Sequence, residues 1–443
     1  MAKKILSVKR PHCAGIDVGS ERVFSCGPDL AVKNYGTTTG AFRILIAELK
    51  ALGTTSVALE STGVYSLVLF DMLREAGFEV FLVNPKYTKS RAGKKTDVAD
   101  CQWIQQLHQL DLLEPSFIPE SWVLEMRQYA RCRENLIQDG AKEVNRMRAA
   151  LIQMNIRLDT VLSQVHGVSG MKMIRAILEG ERDPETLLSL CQGRIKKNKS
   201  EQVKQALEGF YQPQHLFKLK QAVDRWDFIN AQLDECDQYI ERLLEQITQT
   251  MEEPKNLDKP KAMHHNKPNI KKLQAYNVML AGGKNLTSIP GLNDHTVMRI
   301  IAEVGTDLSA FPSEKHFASW AGLTPGRNQS GKSNRRSRHN PKPPINQIFR
   351  QAAHSLLNSK NHALGAFGRR IRSRKGPQIA IKALARKLAV IFYRAMTKGI
   401  EYVEKGIETY QKNYEELKLK YLQKQAEKLG FSLNKVPSSD LKE

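Results

Sequence analysis

The chain has 443 residues, and its 68 lysines and arginines outnumber 46 aspartates and glutamates, for a formal net charge of +22 and a pI near 9.6. A hydrophobic content of 41% excludes a disordered basic tail. No apolar run approaches the roughly 18–20 residues that cross a bilayer, which leaves a globular protein of two or three domains with a polyanion as its expected partner.

The opening, Met1-Ala2-Lys3-Lys4-Ile5-Leu6, is basic without the apolar core of a secretory signal. Residues 12–113 then alternate strand and helix signals. Strands are expected at His12–Val18, Arg22–Cys26, Ala31–Tyr35, Ser56–Glu60 and Glu79–Val83, and helices at Gly40–Leu52, Val64–Ala76 and Thr96–Leu112. Three strands followed by alternating helices and strands predict an α/β unit over residues 1–115, a mixed sheet covered by helices. That order is similar to the ribonuclease-H-like fold.

Residues 116–251 read as almost purely helical. Ala222, Trp226, Ile229, Leu233, Cys236, Ile240, Leu243 and Ile247 alternate spacings of four and three, a heptad seam. It suits either a coiled coil that sets dimerisation or an intramolecular hairpin with 121–158 as antiparallel partner. Residues 252–285 turn polar, with Pro254, Pro260, Pro268 and Gly282-Gly283, and read as a linker or insertion. The His264-His265 pair within it reads as solvated.

Residues 286–400 read as a second, mostly helical unit. Ser288-Ile289-Pro290-Gly291-Leu292 before the helix Asp294–Val304 resembles a helix-hairpin-helix element, whose turn aims backbone N–H groups at a phosphate. Further helices are expected at Ile345–Leu357 and Pro377–Ala395, and the tail, 401–443, is charged and helical. Tyr393 shares a helix face with Ala389 and Met396 and reads as core. The six cysteines, at 13, 26, 101, 132, 191 and 236, form no C-x-x-C pair and read as reduced thiols of a cytoplasmic protein.

Four acids carry the chemistry. Asp17 and Glu60 each end an apolar strand, while Asp97 and Asp100 sit three apart at the start of a helix and so share a face. Singly, Asp97 also fits a helix N-cap and Glu60 a salt-bridged strand end. Together, buried carboxylates at strand ends are costly without positive charge between them. Hard oxygen donors of this kind suit Mg²⁺, or Mn²⁺, in phosphodiester chemistry. Lys86, Lys89, Arg91, Lys94 and Lys95, just before Asp97, are placed to hold a nucleic-acid backbone.

Gly-Ile-Asp-Val-Gly (15–19), Leu-Glu-Ser-Thr-Gly (59–63), Val-Asn-Pro (83–85) and Lys-Thr-Asp-Val-Ala-Asp (95–100) together resemble the DEDD transposases of bacterial insertion sequences. The N-terminal domain of that family looks like the Holliday-junction resolvase RuvC. Ser288-Ile289-Pro290-Gly291, the run from Phe317 to Pro325 and Asn328-Gln329-Ser330-Gly331-Lys332 extend the resemblance to the second unit. It implies a serine nucleophile at Ser330, with Ser333 and Ser337 as alternatives. By its residues alone Ser330 is an exposed loop serine after a Pro-Gly turn. Arg327, Lys332, Arg335, Arg336 and Arg338 surround it in sequence and suit phosphate. A second basic run, Arg369, Arg370, Arg372 and Arg374, suits a backbone contact. The stretch from Ser337 to Pro344 departs from the family in lacking a glycine.

The resemblance implies a Mg²⁺-dependent recombinase that cleaves and rejoins the DNA of element ends and target through a composite carboxylate-plus-serine site. It also implies a structured guide RNA and a homo-oligomer. Two rivals stand beside it: a nuclease or junction resolvase with no covalent intermediate, and a non-catalytic nucleic-acid-binding protein.

Overall fold

The computed structural model describes residues 7–88, 96–263, 265–324, 327–330, 333–336, 342–359 and 362–432. They fall into two compact units, 1–118 and 119–443.

In the first unit, β1 (Cys13–Val18), β2 (Arg22–Cys26) and β3 (Val32–Gly36) form an antiparallel meander. After α1 (Thr39–Ala51) comes β4 (Ser56–Glu60), and after α2 (Tyr65–Glu75) comes β5 (Glu79–Val83). These last two strands pair in parallel, β4 on β1 and β5 on β4, so the sheet runs β3-β2-β1-β4-β5. Parallel neighbours need a crossover, and the two helices supply it. Phe42, Leu45 and Leu49 of α1 and Leu69, Phe70 and Leu73 of α2 bury one face of the sheet with Ala14, Ile16, Val18, Val57 and Leu59. The short α3 (Pro85–Thr88) leads towards α4 (Asp97–Gln109), whose Ile104 packs with Ala58, Phe81 and Val83 of the sheet.

The second unit opens with α5 (Ser121–Gln153). A small helical lobe follows: α6 (Leu158–Val161), α7 (Val168–Glu179), α8 (Pro184–Ser189) and α9 (Gly193–Leu207). The long α10 (Pro213–Thr248) then returns along α5. Tyr129 meets Tyr239, Arg133 meets Asp237, a Cβ at Gly140 would touch Ile229, and Glu143 meets Arg225. As one index rises the other falls, so the pair is antiparallel. Every residue of the expected heptad seam is buried or half-buried.

Within the stretch expected as a polar linker, Leu273–Leu280 forms α11, with Leu273, Tyr276 and Leu280 buried on one side. The expected phosphate-binding turn is packed inward: Ile289, Pro290 and Leu292 are buried, and Gly291, at φ +89°, sits against the Ala352 carbonyl of a later helix. Lys261 donates to the carbonyls of Thr287, Ile289 and Leu292 around that turn. Then follow α12 (Asp294–Val304), α13 (Glu314–Trp320), the strands β6 (Arg327–Ser330) and β7 (Ser333–Arg336), α14 (Pro344–Asn358), α15 (Ala363–Lys375), α16 (Pro377–Lys398) and α17 (Ile400–Lys428). Phe311, Phe317, Trp320, Phe349 and Phe392 stack as an aromatic core among these helices. Tyr393 belongs to it, buried and donating its hydroxyl to the Phe311 carbonyl at 2.7 Å, as a core residue would. No helix among the described residues is long and apolar enough to cross a membrane.

Candidate functional site

Along β1 and β4 the side chains alternate between the two faces of the sheet. Ala14, Ile16, Val57 and Leu59 point to the side of α1 and α2, so Gly15, Asp17, Ala58 and Glu60 lie on the side of α4. The parallel register pairs Cys13 with Ser56 and Ile16 with Leu59. One residue further, Asp17 and Glu60 leave the C-terminal ends of strands about 4.8 Å apart.

The helix α4 lies directly over β1. A Cβ at Gly15 would come within 2.6 Å of the Cys101 carbonyl oxygen and 2.7 Å of Gln105 Cα, so only glycine permits the approach. The Cys13 thiol donates to the Gln105 carbonyl at 3.8 Å, and Ser56 Oγ lies 2.7 Å from His108 Nε2. Gln105 and His108 therefore overlie the beginnings of the strands, and the first turn of α4 extends towards their ends. Burial, followed by Cys26 and the nearby Asp17 carboxylate, pushes the Cys101 thiol up to about 12. That proximity ties Asp17 to the same turn of α4.

This turn carries Asp97, exposed, and Asp100, half-buried. The helix is capped by Thr96, whose hydroxyl accepts from the Ala99 amide at 3.2 Å. Asp97 is thus the first helical residue and not the cap, which leaves its carboxylate available beside the positive end of the helix dipole. Glu60 is half-buried and accepts a hydrogen bond from Thr88 Oγ1 at 2.5 Å. The Pro85 carbonyl is the longer alternative for the same hydroxyl, at 3.3 Å, so its single proton belongs to Glu60. No ion pair to Glu60 is present among the described residues.

The four acids thus share one edge of the sheet, and their hard oxygens match the donor preference of Mg²⁺. Among the described residues, no group of three or more His, Cys, Asp or Glu side chains is gathered closely enough to hold a metal ion. The donor chemistry fits a divalent cation, and the arrangement stops short of a closed ligand set.

Ser330 lies in the other unit. Its backbone ends β6 and is paired with Ser333 of β7, so the expected irregular loop is in part a two-stranded hairpin. Arg327 pairs with Arg336 and Asn328 with Arg335 in the same ladder. Of the remaining basic residues expected to meet nucleic acid, Lys86 lies on α3. Lys89, Arg91, Lys94, Lys95, Lys332 and Arg338, with the alternative Ser337, lie outside the described residues. On α15, Arg370, Arg372 and Arg374 are exposed, whereas Arg369 donates to the Leu357 and Ser359 carbonyls at the end of α14. Such a contact satisfies carbonyls that a helix end leaves open.

The residue that sequence reasoning missed is Thr88. It belongs to no motif, and only the fold carries it from behind β5 to the Glu60 carboxylate.

Two family models match the chain. Residues 14–156 match one described as a DEDD transposase, and residues 283–368 match one described as "Transposase IS116/IS110/IS902 family". The first begins within β1 and spans the other four strands of the larger sheet and both acids of α4; the second spans the β6–β7 hairpin. Together they cover just over half of the residues. A search of curated proteins gave no match.

Proposed function

The chain belongs to the IS110-family transposases and is a DNA transposase or recombinase; from that premise we propose that it breaks and rejoins DNA strands through Asp17, Glu60, Asp97, Asp100 and Ser330. The observation that carries the proposal is the shared edge, where Asp17 and Glu60 end neighbouring strands beneath the turn bearing Asp97 and Asp100. The β3-β2-β1-β4-β5 order, antiparallel and then parallel, supports a ribonuclease-H-like reading of the domain that holds them.

The four carboxylates would hold Mg²⁺ or Mn²⁺, which supplies charge neutralisation at the scissile phosphate. The Ser330 oxygen attacks phosphorus; one O–P bond forms as the bond to a deoxyribose oxygen breaks, and the serine proton ends on the released sugar hydroxyl. In the reverse sense, a sugar hydroxyl of the new partner strand attacks the phosphoserine and frees the serine. No water enters, so the bond energy is kept for rejoining. Basic side chains around Ser330 in the sequence suit the charge of a pentacoordinate phosphoryl transition state. A structured RNA from the element's flanks and assembly into a homo-oligomer complete the proposal.

Denaturing electrophoresis of the protein with labelled element-end DNA and Mg²⁺, with and without that RNA, tests it. A protein–DNA band that disappears with Ser330→Ala, and an activity lost with Asp17→Ala, are expected. Cutting retained by Ser330→Ala would replace the covalent mechanism with hydrolysis by the carboxylate unit alone. Activity retained by Asp17→Ala would remove the carboxylates from the chemistry.

A further inference from the structure

The turn before α12 carries more carbonyl oxygens than its own backbone satisfies. Thr287, Ile289 and Leu292 are 7%, 0% and 1% exposed, so water does not serve them. Pro290 stands three residues after Thr287 and has no N–H to return to it. Leu292 precedes the helix cap Asn293, which puts its carbonyl outside the helical ladder of α12. The Ile289 carbonyl accepts from the Leu292 amide at 3.1 Å and has a second lone pair. Buried acceptors of this kind are unfavourable unless a donor reaches them.

Lys261 reaches all three. Its ammonium donates to the carbonyls of Thr287, Ile289 and Leu292, the last two at 3.4 and 3.0 Å. An ammonium has three N–H donors, so the three oxygens use its full capacity. Lys261 comes from the polar stretch between α10 and α11, and it is exposed as a residue although its charged end is held by the turn. Gly291, at φ +89°, supplies the bend between the second oxygen and the third. Two residues past the third oxygen, Asp294 Oδ1 is buried and makes no hydrogen bond, which leaves the turn richer still in acceptors.

Converging backbone carbonyls replace the hydration shell of an alkali cation. Potassium and an ammonium group carry the same charge and are nearly equal in size. We propose that the carbonyls of Thr287, Ile289 and Leu292 form a monovalent-cation cage, and that Lys261 is the cation the chain itself supplies. The parent protein therefore holds this turn without free K⁺, and K⁺ takes the cage once the ammonium is removed. Neither Ser330 nor the carboxylate edge takes part. The same contact anchors the stretch between α10 and α11 to the turn.

Tryptophan fluorescence of the full-length protein, followed on heating, reports on the cage, because three of the four tryptophans lie in the second unit. Each protein is melted in tetramethylammonium chloride, whose cation is too large for the cage, and in KCl at the same ionic strength. The parent and Lys259→Ala, the loss of an exposed lysine two residues earlier, should respond alike to the change of salt and set the baseline. Lys261→Ala is expected to melt at least about 2 °C below the parent in tetramethylammonium chloride. KCl should restore most of that loss. Lys261→Met fills the same path with an uncharged side chain and should stay low in both salts. Parent-like melting of Lys261→Ala in tetramethylammonium chloride would overturn the cage. So would a deficit, or a failure to fold, that KCl leaves unchanged, and so would equal recovery by Lys261→Met.

Discussion

Glu60 ends a strand whose other residues are all buried, and a carboxylate in that position would rotate freely if nothing met it. Thr88 meets it. Thr88 is 4% exposed, and its hydroxyl reaches one Glu60 oxygen. If Glu60 binds a metal as proposed, Thr88 would position it. Losing the hydrogen-bond partner of a metal-binding carboxylate commonly costs about 10–100-fold in metal affinity or activity. Thr88→Val keeps the shape and removes the donor. It is expected to slow strand transfer by at least about tenfold with little change in melting temperature, while Thr88→Ser retains most of the rate. Equal rates for the valine variant and the parent, measured on the same element-end substrate, would deny Thr88 this role.

Among elements, the α5–α10 pair is held at its middle by a buried charge. Arg133 and Asp237 are 3% and 2% exposed, and Arg133 Nε donates to Asp237 Oδ1 at 2.6 Å. The remaining capacity is filled: the Asn269 amide donates to Asp237 Oδ2, and Arg133 donates to the Asn266 carbonyl. Near this node the Glu303 side chain of α12 binds Arg131, and Arg299 of α12 binds Glu134. The hairpin is thus joined to α12 by ion pairs as well as by its apolar seam. Breaking one partner of a buried pair leaves an uncompensated charge and costs about 3–5 kcal/mol. Arg133→Met should lower the urea stability of the second unit by that order, and adding Asp237→Leu should recover much of the loss. A double variant as unstable as the sum of the two singles would show that the pair is not coupled.

For the molecule as a whole, each unit contains a histidine that the fold keeps neutral. Burial, reinforced by Arg10, holds His108 down to about 4 against the opposing pull of Glu79 and Asp111. Burial, followed by Arg133 and Arg299, holds His295 down to about 3. Arg133 Nη1 lies 3.4 Å from His295 Nε2, and only a neutral imidazole can accept its proton. Both folded values are below the ordinary 6.5, so the unfolded chain takes up protons first as the pH drops. Their stabilisation is complete above about pH 6.5 and is lost progressively down to about 4 for His108 and about 3 for His295. Denaturant midpoints should therefore fall between pH 7.5 and 4.5, and His108→Gln should flatten that fall in the first unit. A midpoint that stays constant over this range in the parent protein would refute the assignment.

The sequence by itself determined the local order. Strands and helices of the first unit follow from apolar periodicity, and β2, β4 and β5 begin and end where that periodicity does. The four acids stood out because each closes or opens such an element, which is a property of neighbouring residues. Tertiary structure decided the rest. Whether the heptad seam served a partner chain or a hairpin depended on where α5 lay, because an apolar stripe has no preference among equally apolar partners. Only the parallel register of β1 and β4 brings Asp17 beside Glu60, and only the close approach of α4 at Gly15 brings Asp97 and Asp100 to the same edge. Thr88 carried no motif at all. Contacts between residues distant in sequence depend on backbone pairing and packing that composition and spacing do not encode.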